Sequence, residues 1–194
     1  MSNQLYPVFL KLHELELLLV GGGKVAHEKL FFLLKNSPEA EVTLVANQIS
    51  KEVKGLVKKR NAKVRFLEKD FESSDLDGKN VVIAATNDKS TNIQIRREAK
   101  KKNVLVNVAD DPELCDFYLG SIVTKGDLKL AFSTNGKSPT LAKRLRQLFE
   151  KELPEDIEEL TINLNRFRNT LKVDFDKKVK TLNNLTRSLL TTKN

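Results

Sequence analysis

Residues 14–30 read ELELLLVGGGKVAHEKL, and the fold turns on this stretch. The run from Glu14 to Val20 is nearly continuous apolar sequence that stops at Gly21-Gly22-Gly23. A short apolar run bounded by glycine reads as a strand buried on both faces of a parallel sheet. From Lys24 to Lys35, Val25, Ala26, Leu30, Leu33 and Leu34 recur at helical spacing, and Asn36-Ser37-Pro38 ends the helix. Gly21, Gly23 and Ala26 therefore fit G-x-G-x-x-G/A in a strand–turn–helix context. Gly21 permits a tight turn, Gly23 lets the backbone approach a pyrophosphate, and Ala26 allows close helix–strand packing. The N–H groups opening the helix face the phosphates. A glycine turn without a ligand is the plainer reading, but the context favours a bound dinucleotide.

Working outward, strand and helix alternate. Glu41 to Ala46, Lys63 to Leu67, Asn80 to Ala85 and Asn103 to Val108 read as strands. Ile49 to Arg60 and Ser90 to Lys102 read as helices, the second with its basic residues at the C-terminal end, where the helix dipole favours them. This rhythm lasts to about residue 112 and predicts an α/β fold with a doubly wound parallel sheet. After Pro112 it changes. Leu119 to Thr124 and Leu128 to Ser133 read as two strands joined by Lys125-Gly126-Asp127, and Ser138-Pro139 opens a helix. Beyond Leu153-Pro154 the chain reads as helical. A hairpin followed by helices is too small to bury itself, so this part is expected to serve dimerisation.

Composition narrows the function classes. The chain has 194 residues, 40% of them hydrophobic and 31% charged, which is an ordinary globular balance. No apolar run approaches the roughly 20 residues that span a bilayer, and the first fifteen residues lack the features of a signal peptide. The single cysteine, Cys115, has no internal disulfide partner, and two histidines make a zinc site improbable. A cytoplasmic protein with no metal and no membrane partner is expected. Cys115 reads as incidental, and His13 and His27 as structural or surface residues. The net charge of +8 suits either nucleic acid or a small polyanion. With no Trp, and Phe and Tyr mostly inside apolar runs, single-strand binding by stacking is disfavoured.

In an open α/β sheet, ligands bind beyond the carboxyl ends of the strands. Those ends carry Gly21 to Gly23, Asn47-Gln48, Thr86-Asn87-Asp88 and Asn107 to Asp111. Gly21, Gly22, Gly23, Thr86 and Asn107 are candidate cofactor contacts. The second strand ends in Asn47-Gln48, where an acidic residue would ordinarily hold the ribose. Both amides can hydrogen-bond a ribose without charge. No Arg lies in this loop to clamp a 2′-phosphate, so NAD is favoured over NADP, while Lys51 leaves NADP open. Asp110 and Asp111 stand where a catalytic carboxylate would meet the nicotinamide, although Asp-Asp-Pro is also a common polar turn. Ser133, Thr134, Asn135, Gly136, Lys137 and Ser138 supply hydroxyls, an amide, a flexible glycine and a cation before a helix start. That composition suits a carboxylate or phosphate cradle, or an ordinary helix cap with a solvated basic face.

Taken together, these stretches resemble the precorrin-2 dehydrogenase family, the NAD-dependent module of siroheme synthases. The resemblance rests on Pro7-Val8-Phe9-Leu10, LLLVGGGKVAHEKL at 17–30, Ala84 to Asp88, Asn107 to Pro112 and STNGKSPTLAKRL at 133–145. It implies a Rossmann domain over residues 1–112, a dimerisation region over 113–150 and a helical C-terminal domain over 151–194, in an interlocked homodimer. It implies that NAD+ oxidises precorrin-2 to sirohydrochlorin; some members also insert ferrous iron to make siroheme, a lyase activity. It implies that Asp110 is the essential aspartate and general base. Lys24, Val25, Asn47 and Gln48 are implied nucleotide contacts, which makes the missing acidic residue family-typical. Ser133 to Ser138 are implied substrate contacts, with Thr134 where some members have Ser. The methyltransferase half of fused siroheme synthases is expected to reside on another protein.

Two readings from other classes stand beside this one. An NAD-sensing regulatory module would use the glycine turn without needing Asp110. A nucleic-acid-binding dimer should show stacking aromatics or a helix-turn-helix, and neither is visible.

Overall fold

The computed structural model describes residues 3–187, which form two compact units. The first comprises the chain through Gly120 together with Ser133–Pro139. Its centre is a five-stranded parallel sheet of β1 (Leu17–Val20), β2 (Val42–Val45), β3 (Val64–Leu67), β4 (Val81–Ala84) and β5 (Leu105–Val108), ordered β3-β2-β1-β4-β5. This is the Rossmann-like order, with crossovers leaving from the central strand in both directions. Helices α1 (Lys24–Asn36), α2 (Lys51–Arg60) and α3 (Lys89–Lys101) complete the layers.

The apolar run that marks β1 is explained by burial on both faces. Leu17 and Leu19 pack with Ala26, Leu30 and Leu34 of α1 and Val53 of α2. Leu18 and Val20 face the other way, toward Ile95 and Ala99 of α3 and Leu76. Leu17, Leu18 and Leu19 are wholly enclosed, so truncating any one to Ala costs about 2–5 kcal/mol. The register is flush: Val20 pairs with Val45 and Ala84, and Ala84 with Val108. Four strand ends therefore reach one level at one edge of the sheet.

Several element ends differ from the sequence expectation, each for a local reason. Glu14 lies in a short 3₁₀ turn, Leu12–Glu14, rather than in β1. Glu16 is instead tied to Asn80, donating its N–H to Oδ1 at 2.8 Å and accepting from the Asn80 N–H at 3.0 Å. Asn103 takes a left-handed conformation at φ 55° after α3, so β5 starts two residues later than expected. Ser50 caps α2, its side chain accepting from the Val53 N–H at 3.3 Å, so Ile49 precedes the helix.

The second unit comprises Ser121–Phe132 and the chain from Thr140 onward. Strands β6 (Ser121–Lys125) and β7 (Leu128–Phe132) pair antiparallel around a two-residue turn at Gly126-Asp127, one residue shorter than expected. Three helices follow: α4 (Pro139–Glu152), α5 (Ile157–Thr170) and α6 (Phe175–Leu185). Lys125 anchors the chain between α4 and α5, its Nζ donating to the Leu153 carbonyl at 2.6 Å. Among the described residues of this unit, Val123 and Ala142 are the buried hydrophobic side chains. Leu148, Phe167, Phe175 and Leu185 are exposed. No described helix is long and apolar enough to cross a membrane.

Candidate active site

The turn between β1 and α1 lies at the common edge of strand ends. The Gly21 N–H donates to the Val45 carbonyl at 2.8 Å, and the Gly22 carbonyl accepts from the Ser50 N–H at 2.9 Å. These bonds lock the turn to the end of β2. Gly21 has φ +124°, and a Cβ there would collide with the Ala85 carbonyl. A Cβ on Gly22 would collide with the Gln48 carbonyl. Gly23 differs: an added Cβ would meet no atom within 4 Å. Gly23 also opens α1 without a side-chain cap, whereas Ser50 caps α2 and Asp88 caps α3. The first N–H groups of α1 thus have no side-chain acceptor at a position with open space above it, the arrangement that receives a phosphate. Ala26 is fully buried beneath the turn.

Asn47 and Gln48 follow β2 and are exposed, as is Lys24; Val25 is half-buried. Thr86, after β4, has its hydroxyl committed within the loop. It donates to Asn92 Oδ1 at 2.7 Å and accepts from the Asp88 N–H at 3.2 Å. Asn92 returns a bond from Nδ2 to the Thr86 carbonyl at 3.3 Å. Asp88 accepts from the N–H groups and hydroxyls of Ser90 and Thr91. Those bonds, the Thr91 hydroxyl's foremost, hold its carboxyl far below the ordinary carboxylate range.

Asn107 lies within β5 and is buried. Its Nδ2 donates to the Phe117 carbonyl at 2.8 Å, so the side chain secures the segment that returns along the outer edge of the strand. Asp110 follows β5 in a left-handed conformation, φ 63°, and is exposed. Asp111 is half-buried and starts a short 3₁₀ turn, Pro112–Leu114.

Ser133–Ser138 belongs to the same unit as the sheet. Asn135 and Gly136 are left-handed, φ 54° and 74°. The Asn135 N–H donates to Ser133 Oγ at 3.2 Å, and the Ser138 N–H to Thr134 Oγ1 at 3.0 Å. The hydroxyls thus shape the loop as well as line it. A Cβ on Gly136 would stand 4.0 Å from the Pro112 ring, so the loop abuts the turn that carries Asp110 and Asp111. Lys137 is exposed. The structure therefore gathers the glycine turn, Asn47-Gln48, Thr86, Asp110 and this loop into one unit, while the Asn107 amide serves the outer edge of β5.

Asn92 and Cys115 have structural roles that the sequence expectation missed. Asn92 had a signal, since it precedes Ile95 and Ala99 by three and seven residues on the buried face of α3. Cys115 had none. Its Sγ accepts from the Val108 N–H at 3.2 Å, and burial pushes its thiol pKa up. Among the described residues, no three His, Cys, Asp or Glu side chains are grouped to hold a metal.

Residues 8–121 match the family model described as "Putative NAD(P)-binding", and residues 125–152 match "Sirohaem biosynthesis protein central". The chain is 36% identical over 171 residues to a siroheme synthase of Vesicomyosocius okutanii subsp. Calyptogena okutanii (strain HA), covering 88% of this chain and 36% of that protein. It is 39% identical over 170 residues to a siroheme synthase of Methylobacillus flagellatus, covering 87% and 35%. The chain spans about a third of the length of these relatives. Among solved structures it is similar to "SirC, precorrin-2 dehydrogenase", with TM-score 0.71 and 28% identity over 93% of this chain and 89% of that one.

Proposed function

The chain belongs to the family of siroheme synthases and precorrin-2 dehydrogenases, and on that premise we propose that it oxidises precorrin-2 to sirohydrochlorin with NAD+. The observation that carries this reading is the placement of Asp110, left-handed and exposed, on the same sheet edge as the uncapped glycine turn.

The residues present fit a dinucleotide. Open space at Gly23 and the free N–H groups of Lys24 and Val25 suit a pyrophosphate, and the neutral amides of Asn47 and Gln48 suit ribose hydroxyls. With no acidic side chain on the ribose and no Arg for a 2′-phosphate, the preference is for NAD over NADP. NAD+, when bound, supplies the hydride acceptor. Losing a hydride also requires losing a proton, and we assign Asp110 as the carboxylate that takes it. Ser133 to Ser138 and Lys137 bind carboxylates of the tetrapyrrole, whose negative charge is drawn to a protein of net charge +8. Thr86 and Asn107 contribute by holding the loops that follow β4 and β5 in place. We read the second unit as a homodimer contact and the cytoplasm as the compartment, in keeping with an unpaired cysteine.

The test is turnover of precorrin-2 with NAD+, followed by absorption. Asp110→Asn keeps the shape and removes the base, so the rate should fall by about 10²–10⁴-fold while NAD+ affinity by calorimetry stays near parental. Asp111→Asn should change the rate little. Near-parental turnover by Asp110→Asn would overturn the assignment. Ferrous iron added to the same assay reads chelation directly.

A further inference from the structure

Asp110 holds a conformation that L-residues other than Asn and Asp seldom adopt, and something must keep the chain there. The turn offers little of its own: the Asp111 N–H reaches the Val108 carbonyl at 3.4 Å, at the limit of a hydrogen bond. Before the turn the Ala109 N–H donates to the Ala84 carbonyl at 2.8 Å, and a second grip comes from Cys115. Its Sγ accepts from the Val108 N–H at 3.2 Å, and its S–H lies within reach of the carbonyls of Val108 at 3.2 Å and Asp111 at 3.3 Å. One sulfur thus touches the backbone two residues before Asp110 and one residue after it.

The sulfur is itself held from the C-terminal side. Asp116 pairs with the outer edge of β5, its N–H donating to the Val106 carbonyl at 2.8 Å and its carboxylate accepting from the Val106 N–H at 3.1 Å. Arg96 of α3 reaches the same carboxylate at 2.5 Å. Asn107 fixes the Phe117 carbonyl and approaches Sγ at 3.5 Å. Strand β5, α3 and the return segment therefore fix the sulfur, and the sulfur fixes the turn.

We propose that Cys115 is a positioning residue for the dehydrogenation, clasping the 108–111 backbone so that Asp110 presents its carboxylate to the substrate. This rests on the reading of Asp110 as the base. Burial keeps the thiol protonated, so it remains a donor and is not a nucleophile. The clasp also accounts for a half-buried thiol at a place where a small apolar residue would fill the space without holding either carbonyl.

A double-mutant cycle on the full chain tests this, with precorrin-2 and NAD+ as substrates and kcat and the KM for NAD+ as readouts. Cys115→Ala removes the clasp and should lower kcat by about 10- to 100-fold, the scale of a misplaced catalytic group, with the KM for NAD+ unchanged. Cys115→Ser keeps a donor and an acceptor on a shorter bond and should recover part of the loss. In the Asp110→Asn background, Cys115→Ala should cost nothing further, because no base is left to position. An equal fold-loss in both backgrounds, or a loss seen only in the KM for NAD+, would overturn the proposal. Full turnover by Cys115→Ala beside a slow Asp110→Asn would also overturn it, leaving the base assignment standing. Near-parental turnover by Asp110→Asn would instead remove the base assignment itself. Should Cys115→Ala fail to fold, Cys115→Ser in the two backgrounds carries the same comparison, with the same outcomes.

Discussion

Three consecutive glycines answer to two kinds of constraint. Gly21 and Gly22 lack side chains because carbonyls from β4 and β2 loops occupy the space a Cβ would need; Gly23 lacks one where the protein has nothing to collide with. Gly21→Ala or Gly22→Ala should therefore destabilise the fold by about 1–3 kcal/mol, as overpacking does, seen as a lower melting temperature without ligand. Gly23→Ala should melt like the parent yet bind NAD+ about tenfold more weakly by calorimetry, a loss of about 1.4 kcal/mol. A normal NAD+ affinity in Gly23→Ala would move the phosphate elsewhere. The glycine pattern was legible because it is local, but its division of labour was not. The Ala85 carbonyl that excludes a side chain on Gly21 lies 64 residues away in sequence. Asn107 hides its bond to the Phe117 carbonyl for a similar reason. Its place near a strand end could be inferred, but the direction of its amide depends on β5 being the edge strand with a return segment beside it.

At the scale of elements, the helix starts divide the work between stability and binding. Asp88 caps α3 by accepting from four donor groups, the N–H groups and hydroxyls of Ser90 and Thr91, while α1 starts bare. Asp88→Ala should lower the melting temperature by several degrees at pH 7, since the first N–H groups of α3 lose their acceptor. The carboxyl titrates below its ordinary 3.8 in the folded protein. Its stabilisation is thus complete above that value and fades as the pH falls from there through the lower folded-state pKa. Melting curves of parent and variant should converge in acid; a gap that is constant down to pH 2 would contradict the cap. Regular elements were legible wherever burial demanded an unbroken pattern, as in Leu17 to Val20 or the Leu30–Leu34 stripe. Ends were less so. Glu14 and Asn103 continue the apparent strands by pattern, yet backbone bonding at Glu16–Asn80 and the left-handed tolerance of Asn decide otherwise.

At the scale of the molecule, the two units differ sharply in how much they bury. The sheet unit encloses Leu17, Leu18, Leu19, Leu30 and Ile95 completely, whereas the described part of the second unit encloses Val123 and leaves Phe175 71% exposed. Exposed apolar side chains on α4, α5 and α6 motivate the proposed homodimer, in which a two-fold partner would offer the same surface in return. Light scattering should give twice 22.0 kDa at micromolar concentration, and a stable monomer would refute the homodimer. The deficit was legible in the shortness of the hairpin, but no pattern within one chain specifies the surface that meets it. The opposite problem is solved along β5. A parallel sheet that ends in a bare strand invites other chains to add to it, most dangerously while the polypeptide is newly made and crowded. Here Asp116 and Phe117 occupy that border with their own backbone and with Arg96 behind them, so the residues that brace the turn also give this side of the protein resistance to aggregation.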